Sequence, residues 1–428
     1  MIQRATARSR FLLSLAVLLS LAATGVASAA THPAAKKKTH GVTEAAIAAH
    51  PATHSTAHLA VKSSATRAAS TRTTHTAVKN VTATRLVRTR SGKMARLPVH
   101  LRGERFYASS FADNLTEGDI TAGEDPLVRD AAIQALGNMN GTALAIDPAT
   151  GRILAMVNQK LALSSGAEPC STIKLTVALA ALQEGLIKRD TPVDLGGGYK
   201  VDLTYALAKS VNPFFEVLGR AMGFERVKHY ANQLGLGELA GYNIAGEQLG
   251  VYPDEELPQA LGGVGRMCSF GEGVSMTPLQ LGAIVSAIAN GGTLYYLQHP
   301  LTTDDVTAFQ PKVKRTLDIS GVIPEMLPGM QGAVEARWGT ARSLQANFRE
   351  FPVFGKTGTC SNNGTRFGWF GSYSDTPNGR IVTVFFLEGG KPTFGPKAAE
   401  LTGQFYRALY EKNYFAPKAA GPVVDGGN

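Results

Sequence analysis

EPCSTIKLTVALAALQEGLI, residues 168–187, is the stretch on which the fold reading turns. From Ser171 onward it has the length and apolar content of a buried helix, yet Lys174 sits one turn inside it. Burying an unpaired ammonium is costly and pushes the amine toward its neutral form. A serine and a lysine at i and i+3 share a helix face, with Cβ atoms about 5–6 Å apart. At a helix N-terminus, Ser171 would lie among free N–H groups that favour developing negative charge. A serine hydroxyl becomes an effective nucleophile when a neighbouring base takes its proton. A lysine desolvated by Ile173, Leu175 and Val177 loses its proton more easily and could be that base. The alternative is a serine that caps the helix while Lys174 turns outward, and S-x-x-K alone does not decide between them.

Two further segments bear on the choice. AKSVNPFFEVLG (208–219) places Ser210 and Asn212 at alternate positions, and Pro213 biases Asn212 away from helix. An extended or turn conformation there points a hydroxyl and an amide to one side; a plain turn uses the same residues. GKTGTCSNNGTRFGWFGSY (355–373) reads as a strand and its return. Lys356, Thr357 and Thr359 offer a cation and two hydroxyls suited to a carboxylate. Gly358 lets another backbone approach closely. The plain alternative is an edge strand with polar residues facing solvent.

The remaining sequence gives these segments a frame. GTALAIDPATGRILAMVNQ (141–159) predicts a hairpin turning at Asp147–Gly151. Helices are expected at 172–186, 203–209, 213–222, 226–234 and 277–289, the last capped by Thr277 with Pro278 following. Strands are expected at 353–360, 366–374 and 380–389, with a closing helix at 397–410. Strands at both ends of one unit, residues 106–416, and helices between them imply a sheet built from both ends. An all-helical lobe is then inserted in the middle.

Ahead of this unit, residues 1–29 carry Arg4, Arg8 and Arg10, an apolar run and a small-residue Ala27-Ser28-Ala29 site. These are the parts of a secretory signal, or of a membrane anchor if it stays uncleaved. Residues 30–105 are rich in Ala, Thr, Ser and His and hold 14 Lys+Arg against 2 Asp+Glu. With the chain at +10 overall and three arginines in the leader, residues 106–428 are left with a net charge of −5. Such a basic stretch is expected to be a disordered tether, and residues 417–428 a disordered tail. The tether's charge suits anionic lipid head groups or wall polymers, or it is a soluble spacer. Nucleic acid is not expected, since the stretch has no interleaved aromatics. Cys170, Cys268 and Cys360 show no metal-ligand spacing, and no metal or cofactor is expected. In an exported protein they allow at most one internal disulfide plus one free thiol.

S-x-x-K, S-x-N and K-T-G in this order resemble the penicillin-binding proteins, the serine D,D-transpeptidases of cell-wall synthesis. AIDPATGRILAMV (145–157), SFGEGVSMTPLQLGAIVSAIANGG (269–292) and Gly339-Thr340-Ala341 are similar to the family's connecting segments. The likeness covers roughly residues 125–410 and is nearest to the class B branch. It implies a β-lactamase/transpeptidase-like α/β (α+β) fold. In that fold a central antiparallel sheet is flanked by helices, and the active site lies where the sheet meets the helical lobe. It also implies that Ser171 is acylated by stem peptides ending in D-Ala-D-Ala, with Lys174 as base and Ser210 passing a proton to the departing D-Ala. Asn212 would hold the substrate amide, and Lys356, Thr357 and Thr359 the terminal carboxylate, with Gly358 admitting it. The backbone N–H groups of Ser171 and Thr359 would bind the oxyanion.

Peptidoglycan stem peptides, covalent β-lactam inhibitors and cell-wall synthesis or division proteins are the partners implied. The location implied is the periplasm or the outer face of the cytoplasmic membrane. A D,D-carboxypeptidase or serine β-lactamase on the same fold remains an alternative, as does a non-catalytic wall-binding protein. The sequence departs from the family at Cys170, where Gly is usual, at Glu272 and at Cys360. With Cys170 beside the implied nucleophile, Cys360 ending the K-T-G strand and Cys268 in a segment bordering the implied cleft, a Cys170–Cys268 or Cys170–Cys360 bridge would tie the cleft walls together; the alternative is three buried reduced thiols. Only 39 residues separate Ser171 from Ser210, which implies a trimmed lobe. The tether stands where class B proteins carry a folded pedestal.

Overall fold

Apolar runs near the start of the domain and runs rich in β-branched and aromatic residues near its end form one five-stranded sheet. Its strands are β1 (Gly141–Asp147), β2 (Arg152–Val157), β3 (Val353–Asn362), β4 (Thr365–Thr376) and β5 (Gly379–Gly389). They lie in the order β2-β1-β5-β4-β3, every neighbouring pair antiparallel. This computed structural model describes residues 105–416 and the backbone of Thr84–Arg88 and Met94–Pro98.

Successive side chains of a strand point to opposite faces, so a strand covered on both sides is apolar throughout. On β5, Val382, Val384 and Phe386 enter one core, and Ile381, Phe385 and Leu387 the other. The second core is closed by α1 (Pro126–Leu136) together with a C-terminal helix at Gly395–Glu411. The first is closed by the helices between β2 and β3. In chain order these are α2 (Lys174–Gln183), α3 (Leu203–Lys209), α4 (Asn212–Met222), α5 (Phe224–Gln233), α6 (Gly263–Phe270), α7 (Pro278–Asn290) and α8 (Ile323–Glu335). The C-terminal helix is α9. The expected plan, an antiparallel sheet from both chain ends with a helical insertion, is the one observed.

Local signals account for several boundaries. The Asp147 carboxylate accepts from Ala149 N and Thr150 Oγ1, and Gly151 closes the β1–β2 turn at φ +77°. Thr277 and Gln280 form a reciprocal capping box that starts α7. The helices α1, α6 and α8 were not expected from the sequence. The expected signal segment, most of the expected tether and the expected tail lie outside the described residues. Within the tether span, Thr84–Arg88 and Met94–Pro98 pair as antiparallel strands, so this part is not the structureless chain expected there. Both are short runs with Leu or Val, and Ser91-Gly92 falls in the connection between them.

Buried charge ties the approach to α1 onto the sheet. Arg129 bonds Asp119 and Glu124, each at 2.8 Å, and both carboxylates are almost fully buried. Glu124 also accepts from Met156 N and lies 3.0 Å from His299 Nε2. Asp119 accepts from the backbone N–H groups of Asn158 and Gln159. Removing one partner of a buried ion pair leaves its counter-charge unpaired in low dielectric. Arg129→Met is therefore expected to lower the unfolding free energy by about 3–5 kcal/mol, read as a reduced urea midpoint at unchanged slope.

Candidate active site

Residues Cys170–Ile173 form a 3-10 turn, and α2 begins only at Lys174. Ser171 therefore sits in the turn that feeds the helix and makes no capping bond, so the alternative of a capping serine is not the one observed. Lys174 is fully buried and turned inward, which removes the outward alternative. Its Nζ lies 2.7 Å from Ser171 Oγ and 2.9 Å from Asn212 Oδ1, and it donates to the backbone carbonyl of Ser269. The rings of Phe215 and Phe270 lie 5.5 and 5.9 Å from it. Burial pushes the amine well below the usual lysine range, and the nearby Lys356 cation pushes it further; Glu216 and Cys268 oppose this. The thiol of Cys268 is buried and held up at about 12.

The second segment arrives from the helical lobe. Ser210 ends α3 in the left-handed region, φ +62°, Val211 is extended, and Asn212 opens α4. Asn212 is thus helical despite the following proline. It occupies the first turn, where its neighbour Pro213 has no N–H to lose and its fixed φ suits the helix. The reversal at Ser210 aims both polar side chains into the cleft, Asn212 at Lys174 and Ser210 at Lys356, 2.9 Å from Ser210 Oγ to Lys356 Nζ.

The third segment is β3, at the edge of the sheet. Lys356 is fully buried, its pKa lowered by burial to about 7, and it also donates to the Thr357 carbonyl. Thr357 and Thr359 line the open cleft; Thr357 donates to Thr340 Oγ1, and Thr359 Oγ1 accepts from Gly395 N. Gly358 faces the other way. A Cβ there would lie 2.8 Å from the Pro169 carbonyl and 3.2 Å from Thr172 Cγ2. The backbone it admits is therefore the nucleophile turn, not a bound ligand as the sequence reading had it. The same turn is joined to β3 by the Cys170–Cys360 disulfide, Cα–Cα 5.5 Å, while Cys268 stays a free thiol. Of the two pairings left open by the sequence, Cys170–Cys360 is the one made.

The three segments meet around a cleft of about 450 Å³ that Ser171, Ser210, Thr357 and Thr359 share with Thr340 and Arg342. All eight candidate residues are brought together: Ser171, Ser210, Thr357 and Thr359 line the cleft, Lys174 and Asn212 meet beside Ser171, Lys356 lies behind and Gly358 beneath. Glu272, a point of departure from the resemblance, pairs with Arg266 at 2.8 Å. Sequence reasoning missed the Ser269 carbonyl, the two phenylalanine rings, Arg342 and Trp338, which stacks near Tyr205. The Gly339-Thr340-Ala341 run was the one signal near the last two.

Comparison with known proteins bears on the fold and the family. The penicillin-binding protein transpeptidase domain matches residues 141–411. Stage V sporulation protein D of Bacillus subtilis is 31% identical over 261 residues, covering 51% of this chain and 39% of that protein. Peptidoglycan D,D-transpeptidase FtsI of Escherichia coli is 25% identical over 293 residues, 61% of this chain and 46% of FtsI. The chain thus spans less than half the length of either relative. Peptidoglycan D,D-transpeptidase PbpA of Mycolicibacterium smegmatis is 25% identical, covering 71% of this chain and 75% of that protein. Among solved structures, Pseudomonas aeruginosa PBP2, in complex with WCK 5153, shares the fold at a TM-score of 0.60 with 23% identity; 70% of this chain and 78% of that one are covered. From these matches and the shared fold, the chain belongs to the penicillin-binding protein transpeptidase-domain family.

Proposed function

We propose that the protein is a serine D,D-transpeptidase that crosslinks peptidoglycan through an acyl-enzyme on Ser171. The contact set of Lys174 carries this reading. Asn212 Oδ1 and the Ser269 carbonyl can only accept hydrogen bonds. A neutral amine gives each of them one N–H and has a lone pair left for Ser171, whose O–H then donates to it. After proton transfer, the ammonium fits the same three partners with Ser171 Oγ accepting. The proton crosses the 2.7 Å gap while the other two contacts stay in place.

The rest of the cycle follows from position. Ser171 Oγ attacks the carbonyl of the penultimate D-Ala of a stem peptide, and the backbone N–H groups of Ser171 and Thr359 receive the oxyanion. The substrate lies along the unpaired edge of β3, with Thr357 and Thr359 at its terminal carboxylate, Lys356 supplying charge from behind, and Asn212 at its amide. Ser210 protonates the leaving amine, and Lys356, titrating at about 7 and 2.9 Å away, refills it. The amine of a second stem peptide then takes the acyl group; water in its place would make the protein a carboxypeptidase. The arginines and apolar run of residues 1–29 support a location outside the cytoplasm, and the described residues hold no helix long and apolar enough to cross a membrane. Anionic lipid or wall polymer at the basic segment and partners from the wall-synthesis machinery belong to the same reading.

Fluorescent penicillin is expected to label the purified protein at Ser171 in a long-lived adduct, mapped by mass spectrometry. Ser171→Ala should take up none, and label at another residue sinks the assignment. Rapid turnover of a chromogenic cephalosporin would point to a β-lactamase instead.

The pH dependence has a fixed sign. Acylation needs the free amine of Lys174, so its rate falls as pH drops through that group's lowered pKa and is at its plateau well below pH 10.5. Part of the lowering comes from the Lys356 cation. In Lys356→Met the acidic limb of the penicillin acylation profile should therefore move to higher pH, whatever happens to its height.

A further inference from the structure

Seven non-glycine residues among those described have positive φ: five asparagines, Ser210 and Cys170, at φ +53°. Asparagine enters this region with help from a short polar side chain that bonds locally, and Ser210 is held there with its hydroxyl on Lys356. Cys170 has no such group, is fully buried, and lies one residue before the nucleophile. Its side chain is instead spent on the bond to Cys360, one residue beyond Thr359. The disulfide therefore joins the two residues that flank the proposed oxyanion donors, Ser171 and Thr359. The turn it holds packs on β3 with no room for a methyl group at Gly358, so a shift in the turn displaces the strand.

Resting on the acyl-enzyme reading above, we propose that Cys170 and Cys360 are positioning residues whose bond does the work of a glycine. It holds Cys170 in the left-handed conformation, so the nucleophile turn keeps its reactive form only while the pair is oxidised. Reduction by a dithiol moves two electrons and two protons onto the sulfurs, leaves two thiols and turns the dithiol into a disulfide. The bond is approached through Cys360, which is only half-buried on the edge strand. Once it is open, Cys170 relaxes to negative φ and carries the Ser171 N–H out of line. Lys356, Thr357 and Asn212, which hold the substrate in the same reading, keep their own bonds to Ser210, Thr340 and Lys174, so affinity changes less than the rate constant.

The test uses the full chain and penicillin acylation kinetics resolved into a non-covalent dissociation constant and an acylation rate constant. Reduction is with a water-soluble phosphine, and thiols are counted by alkylation mass, one before and three after. Reduced wild type is expected to lose about tenfold or more in the rate constant, in the direction of a misplaced oxyanion donor, with the dissociation constant within about twofold. Cys360→Ser, which leaves Cys170 without a bond, should match it without phosphine. Cys170→Gly/Cys360→Ala should recover the rate to within about threefold of oxidised wild type and ignore phosphine, since glycine takes positive φ unaided.

Thermal midpoints report whether each variant is folded. Two results overturn the proposal: fully reduced wild type keeping its rate constant, or the glycine double variant being as slow as Cys360→Ser. Oxidised wild type that takes no penicillin at Ser171 removes the acyl-enzyme reading itself, and this inference with it.

Discussion

A lysine with no exposure to solvent, meeting a serine hydroxyl, an amide oxygen and a backbone carbonyl, draws on three separate parts of the chain. Ser171 and Lys174 come from the turn and α2, Asn212 from the start of α4, and Ser269 from α6. Each contact is worth more in this dry setting than in water, and each missing one would leave a buried polar group unpaired. The lobe is therefore not free to slide against the nucleophile helix: the position of α4 and α6 is set by the need to satisfy one amine.

A second buried lysine extends the constraint to the sheet. Lys356 lies behind β3 and reaches Ser210, so the hydroxyl at the end of α3 is fixed by a strand that follows it by 146 residues. Burial lowers both amines, and the Lys356 cation pushes Lys174 further toward its neutral form. Each lysine, which alone would be a defect in a core, is kept there by polar partners drawn from other segments.

Much of this was legible in the sequence, for identifiable reasons. Ser171, Lys174, Ser210, Asn212 and Lys356 announce themselves because polar residues in apolar or turn-forming surroundings need an explanation. The β strands were legible because both faces are covered, so β5 reads as nearly unbroken Val, Ile and Phe. The Ser269 carbonyl left no trace, since a backbone group carries no residue-type signature. Helix α8 was hidden by Pro328, Gly329 and Gly332, which look like loop residues. The structure shows why glycine is there: a Cβ on Gly329 would come within 2.7 Å of Leu207 Cβ, so the composition that disguises the helix is what lets α3 pack on it. The role of Gly358 was misread for a related reason, because a glycine reports that something comes close without saying what.

The edge position of β3 has a consequence for how such a protein keeps to itself. Among the described residues this ten-residue strand pairs on one side only, with β4. An open row of backbone donors and acceptors attracts any extended chain, including another copy of the same strand. The usual remedies, covering the edge or interrupting it with proline, would close it to a peptide. What protects it here is recess: the Ser171 turn packs against one face of the strand, and Thr340 meets Thr357 on the other. The chain thus trades some resistance to self-association for an edge that stays receptive to a single narrow guest.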